Sequence, residues 1–141
     1  MFKIAVLISG NGSNLEALID ACKKNLISGS VEIIISNNPD AYGIQRAKNH
    51  FINYKIIDNN RFETREDFDR SLVEELKDSN PDLIVLAGFM RILTPVMIEA
   101  FKNKIINIHP SLLPKYPGLD THNSVIKNGD LKHGVTTVSY T

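Results

Sequence analysis

Asn107 and His109 stand two residues apart in Lys104-Ile105-Ile106-Asn107-Ile108-His109-Pro110-Ser111. Side chains alternate along a strand, so this spacing sends a carboxamide and an imidazole out on one face. Ile106 and Ile108 point the other way and anchor the strand. A carboxamide can donate a hydrogen bond to a developing oxyanion. An imidazole can donate too, and can move a proton near neutral pH. The C-terminal end of a strand is where open α/β sheets bind their ligands. The residues alone leave a second reading open, an Asn/His pair bonded to nearby backbone. No Gly-x-Ser-x-Gly elbow is present. His109, His122 and His133 do not form a zinc motif, so no metal is expected.

Gly10-Asn11-Gly12-Ser13-Asn14 is the other stretch with chemical potential. It follows an apolar run and opens a helical pattern. Glycines let a backbone turn tightly and approach a ligand. The free N–H groups and positive dipole end of a helix start favour an anion, and Ser13 and Asn14 add donors. A phosphate is the expected guest; a plain turn with Ser13 or Asn14 as helix cap is the alternative. A dinucleotide fits poorly. Leu15 occupies the third glycine position, and the second strand ends in Ser36-Asn37-Asn38 without a carboxylate for a ribose diol.

The elements that must position these groups follow from periodicity. Strands are expected over 4–9, 31–36, 52–57, 82–87, 104–108 and 134–140. Helices are expected over 13–24, 41–50, 63–77, 95–101 and 122–128, with an irregular proline-rich stretch over 110–118. Phe68, Leu72, Val73 and Leu76 share one side of the long third helix. Alternating strands and helices imply an α/β fold: a Rossmann-like, open, mostly parallel sheet with helices on both faces. The 141 residues make one domain over 1–141, with no repeat or linker.

Composition narrows the function. The chain is 43% hydrophobic and 23% charged, ordinary for a soluble globular protein. Sixteen Lys and Arg balance sixteen Asp and Glu, which gives no basic surplus for a nucleic acid. No apolar run approaches a membrane span, and the apolar start reads as a buried strand rather than a signal peptide. Cys22 is the single cysteine, so no internal disulfide can form and a reducing cytoplasm is the expected compartment. Small-molecule ligands, and a monomer or homodimer, are expected.

Three segments together carry a resemblance. They are Leu7-Ile8-Ser9-Gly10-Asn11-Gly12-Ser13-Asn14-Leu15, Leu86-Ala87-Gly88-Phe89-Met90-Arg91-Ile92-Leu93, and the stretch from Asn107 through His109-Pro110-Ser111 to Gly118. In this order and spacing the chain resembles the phosphoribosylglycinamide formyltransferases, folate-dependent enzymes of purine biosynthesis. The Asn-x-His-x-Ser-x-Leu-Pro core is also similar to methionyl-tRNA formyltransferase. The resemblance implies formyl transfer from 10-formyltetrahydrofolate, a co-substrate, to the amine of 5-phosphoribosylglycinamide, without a metal. It implies Asn107 and His109 as catalytic groups. It implies Asn11, Gly12, Ser13, Asn14, Gly88 and Pro110 as acceptor contacts. Arg65, Met90, Arg91, Ile92, Leu93 and Asn107 would meet the folate. From the residues alone, Phe89, Met90, Ile92 and Leu93 read as core.

Two departures accompany the resemblance. The family's catalytic aspartate is expected a few residues beyond Thr141, so the chain reads as C-terminally truncated. Loss of one acid–base group implies impairment of about 10²-fold or more. Asp120 stands where many members carry histidine. Other readings are a phosphoribosyl-binding domain without turnover, an NAD-binding module, and a formyltransferase for another amine.

Overall fold

The computed structural model describes residues 2–108 and the backbone of 137–140. In chain order they form β1 (Lys3–Ile8), α1 (Ser13–Lys23), β2 (Ser30–Ser36), α2 (Gly43–Asn49) and β3 (Asn53–Ile56). These are followed by α3 (Arg65–Ser79), β4 (Leu83–Ala87), α4 (Pro95–Ala100), β5 (Ile105–Ile108) and β6 (Thr137–Tyr140). The stretch 110–118 and the helix expected over 122–128 lie outside the described residues.

Six strands make one sheet in the order β3-β2-β1-β4-β5-β6. Every pairing from β3 to β5 is parallel, and β6 closes on β5 antiparallel. The core has two layers. Ile4, Val6 and Ile8 of β1 pack with Val85, Ile106 and Ile108 under Leu15, Leu18 and Ile19 of α1 and Ala47 of α2. Ala5, Leu7, Ile84, Leu86 and Ile105 face Phe68, Leu72, Val73 and Leu76 of α3 and Met97 of α4. β1 and β4 are therefore buried on both faces, which explains their unbroken apolar runs. Asn107 is in phase with Ile105, so it falls on the α3/α4 face.

Boundaries differ from the periodicity where local chemistry intervenes. α2 starts at Gly43, two residues later than expected, because Ala41 N–H bonds back to Asn38 O in a turn. α3 runs on to Ser79 before Asn80 adopts φ 49, a left-handed geometry that Asn tolerates. Its start is set by Thr64, whose hydroxyl accepts from Asp67 N–H at 3.1 Å. Pro95 opens α4. The buried carboxylate of Asp69 accepts from Thr94 N–H at 2.8 Å and from its hydroxyl at 2.7 Å, which locks α3 to the entry of α4.

Candidate functional site

β1 leads into α1 on one face of the sheet and β4 leads toward α4 on the other. Their exits diverge and leave a crevice at the point where the strand order reverses. A cavity of about 140 Å³ lies there, lined by Gly10, Asn11, Gly12, Ser13, Asn14, Ala87 and Gly88. The glycine loop and Gly88 are thus brought together. Leu7 pairs with Leu86, and Leu86 with Asn107, which sets Asn107 in the same row just below the strand ends. Asn107 is half-buried, and its carboxamide takes no hydrogen bond among the described residues. His109 and Pro110 lie outside the described residues.

The capping alternative fails for the glycine loop. Gly12, at φ 78, is the N-cap of α1, and no side chain caps the helix. Ser13 is already helical, so Ser13 and Asn14 cannot be the cap residue. The first-turn N–H groups are left for a guest at the positive end of the dipole. At the dinucleotide positions, Leu15 is buried in the core. Asn37 has its carboxamide engaged at both ends: Ser9 Oγ donates to Oδ1, and Nδ2 donates to Asn59 Oδ1 at 3.0 Å.

Two residues that sequence reasoning missed support this loop from α2. Gly43 N–H donates to Gly10 O at 3.1 Å, and its Cα lies so close that a Cβ on Gly12 would approach to 2.9 Å. Arg46 donates from Nε to Asn11 O at 2.8 Å and from Nη2 to Asn11 Oδ1 at 2.6 Å. Its Nη1 meets Glu16 Oε1 at 3.3 Å, and its guanidinium lies over the Tyr42 ring at 5.0 Å. Glu16 Oε2 also holds His50 Nε2 at 2.6 Å, and His50 Nδ1 meets Lys23 Nζ at 2.6 Å. No periodicity signals contacts about thirty residues apart, and only the folded sheet brings them together. Glu16, Asp20 and His50 have ligand atoms within 4.8 Å of one another. Both ring nitrogens of His50 are already engaged, so the cluster reads as an ion-pair network.

Burial pushes the Glu16 carboxyl up, but hydrogen bonds and charge from His50 and Arg46 outweigh it and hold the group below its ordinary value. A depressed carboxylate stabilises the fold above its unfolded pKa, and that contribution is lost as pH falls through the folded one. Glu16→Gln is therefore expected to lower stability at neutral pH by about 1 kcal/mol at most. Thermal melts across the acid range should show the gap to the unsubstituted protein closing below the ordinary value of 4.5. A gap that stays constant into acid contradicts the assignment.

On the opposite wall, Met90 N–H donates to Ser9 Oγ at 2.7 Å. Met90 is 81% and Ile92 71% exposed, whereas Leu93 is buried. The core reading holds for Leu93 and fails for Met90 and Ile92, because the chain leaves β4 along the rim instead of continuing inward. Arg91 lays its guanidinium over the Phe68 ring at 5.1 Å. Its buried Nε has no hydrogen-bond partner among the described residues. Arg65 is exposed at the first position of α3.

The crevice at the point where the strand order reverses thus lies beside a strand end that carries a carboxamide. The chain belongs to the Formyl transferase family, which it matches over residues 2–140. It is 51% identical over 133 residues to the phosphoribosylglycinamide formyltransferase of Escherichia coli (strain K12), covering 94% of this chain and 63% of that protein. It is 48% identical to the Haemophilus influenzae protein of the same name, covering 96% and 64%. Among solved structures, the Coxiella burnetii phosphoribosylglycinamide formyltransferase superposes with a TM-score of 0.78 at 45% identity, over 99% of this chain and 65% of that one. Glycinamide ribonucleotide transformylase 1 from Symbiobacterium toebii gives 0.76 at 42%, over 93% and 62%. The chain thus spans just under two thirds of the curated relatives' length. Among the described residues, no helix is long and apolar enough to cross a membrane.

Proposed function

We propose that the protein moves the formyl group of 10-formyltetrahydrofolate to the primary amine of 5-phosphoribosylglycinamide, as a cytoplasmic enzyme of purine biosynthesis. The observation that carries this is the cavity formed by the glycine loop and Gly88 beside the Asn107 strand end. Buried Leu15 at the third glycine position and the engaged carboxamide of Asn37 weigh against a dinucleotide there. The acceptor's phosphate sits on Asn11, Gly12, Ser13 and Asn14, and its chain passes Gly88 and Pro110 toward β5.

The amine attacks the formyl carbon and forms a C–N bond, giving a tetrahedral oxyanion. Asn107 donates a hydrogen bond to that oxygen, and His109 donates a second. The bond to the folate nitrogen then breaks. The proton lost by the attacking amine balances the one gained by that leaving nitrogen, with His109 the group suited to move it. The folate's pterin lies along the β4 exit, where exposed Met90 and Ile92 offer apolar surface and Leu93 backs them. Arg65 suits the carboxylates of the folate tail, and the backbone of the stretch from Met90 through Arg91 and Ile92 to Leu93 suits the pterin edge. The reading uses small-molecule substrates, no metal and no nucleic acid, in a monomer or homodimer.

The test is a spectrophotometric assay of tetrahydrofolate release with and without phosphoribosylglycinamide, beside direct titrations. Acceptor-dependent release is expected. Acceptor binding with no release would leave a binding domain without turnover, and NAD binding in its place would remove the reading.

A further inference from the structure

The following rests on the glycine loop as the phosphate subsite. We propose that Arg46 is a positioning residue that fixes the Asn11 carboxamide with its nitrogen, not its oxygen, turned to the phosphate. Nε and Nη2 form one edge of the guanidinium fork, and that edge takes both oxygens of a single residue, Asn11 O at 2.8 Å and Asn11 Oδ1 at 2.6 Å. Paired donors facing paired acceptors define an orientation as well as a contact. With Oδ1 committed to Arg46, the remaining end of the carboxamide is the Nδ2 donor. That group has no partner among the described residues, and Asn11 lines the cavity. An exposed amide without such a clamp turns over freely, and half of its orientations present a lone-pair oxygen to an anion.

Arg46 itself is not among the residues that line the cavity, and its nitrogens are directed at Asn11 and Glu16. Nη1 meets Glu16, and the guanidinium face lies over Tyr42. Glu16 is in turn held by His50, and His50 by Lys23. The clamp also acts on the backbone. A Cβ on Gly12 would lie 3.3 Å from Arg46 Cδ, so the arginine stem and Gly43 pin the loop from below. Arg46 therefore acts through Asn11. It lies on α2, away from the strands whose ends carry the rest of the site.

The test is a double-mutant cycle read by calorimetric titration with inorganic phosphate and with phosphoribosylglycinamide. Arg46→Lys keeps the charge and loses the fork. It is expected to weaken both ligands about tenfold. Asn11→Ala should do the same, and the double variant should lose no more than either single one, since the two act as a unit. Affinity for the folate donor should change by less than about twofold in Arg46→Lys. The side-chain amide proton resonances of Asn11 supply a readout that a merely structural role would not move. Phosphate should shift them in the unsubstituted protein and barely in Arg46→Lys. Unsubstituted affinity in Arg46→Lys, additive losses in the cycle, or equal shifts in both proteins overturn the proposal. Should neither ligand bind the unsubstituted protein while the folate donor does, the phosphate reading of the loop falls, and the role of Arg46 with it.

Discussion

Replacing Asn107 by alanine is expected to lower kcat for formyl transfer by about 10²- to 10³-fold, with KM for both substrates changed only a few-fold. The magnitude is that of removing one preorganised donor from a developing oxyanion. The carboxamide has little to do in the ground state, so its loss should appear in the chemical step. The fold should tolerate the change. Asn107 is half-buried, its side chain holds no hydrogen bond among the described residues, and Ile105, Ile106 and Ile108 keep β5 in place. Asn107→Asp sharpens the test, because it keeps the shape but replaces the donor by an acceptor that repels the oxyanion. It should be at least as damaging as alanine. His109→Asn should also be severely impaired. Steady-state kinetics on the three variants decides, and near-normal kcat in Asn107→Ala removes the oxyanion assignment.

Gly12→Ala is expected to weaken phosphoribosylglycinamide binding by about 10²-fold and to destabilise the fold by about 1–3 kcal/mol. Two effects combine. Gly12 sits at φ 78, a left-handed conformation that costs any residue with a Cβ. The added Cβ would also lie 2.9 Å from Gly43 Cα, and backbone cannot swing aside as a side-chain tip can. The loop must therefore lift off α2, carrying Asn11 and the first-turn N–H groups away from the anion. Gly10→Ala is the control, since a Cβ there meets nothing within 4 Å. Titration with the ribonucleotide should separate the two variants by more than tenfold. Equal affinities would show that the loop does not hold the ligand through its backbone.

Much of this architecture can be read from local pattern. Ile4 to Ile8 announces a strand buried on both faces, and Phe68, Leu72, Val73 and Leu76 announce which side of α3 is covered, because burial and periodicity are properties of neighbouring residues. The glycine loop is legible for the same reason, as glycines between a strand and a helix. Its geometry is not. That Gly12 caps α1 in place of Ser13 depends on a close approach to Gly43, and Arg46 meets Asn11 only because β1 and β2 are adjacent strands. The apolar run at the β4 exit misleads for a related reason. Met90, Ile92 and Leu93 look alike in composition, and only the path of the chain at the rim separates two exposed side chains from one buried one.

The hydroxyl of Ser9 serves three loops at once. It donates to Asn37 at the end of β2, accepts from Met90 N–H beyond β4, and belongs to the residue that opens the glycine loop. Grafting a foreign recognition loop after β4 would orphan a buried acceptor or donor unless the graft restored a matching N–H. Any redesign of the β4 exit therefore has to retool the glycine loop and the end of β2 with it.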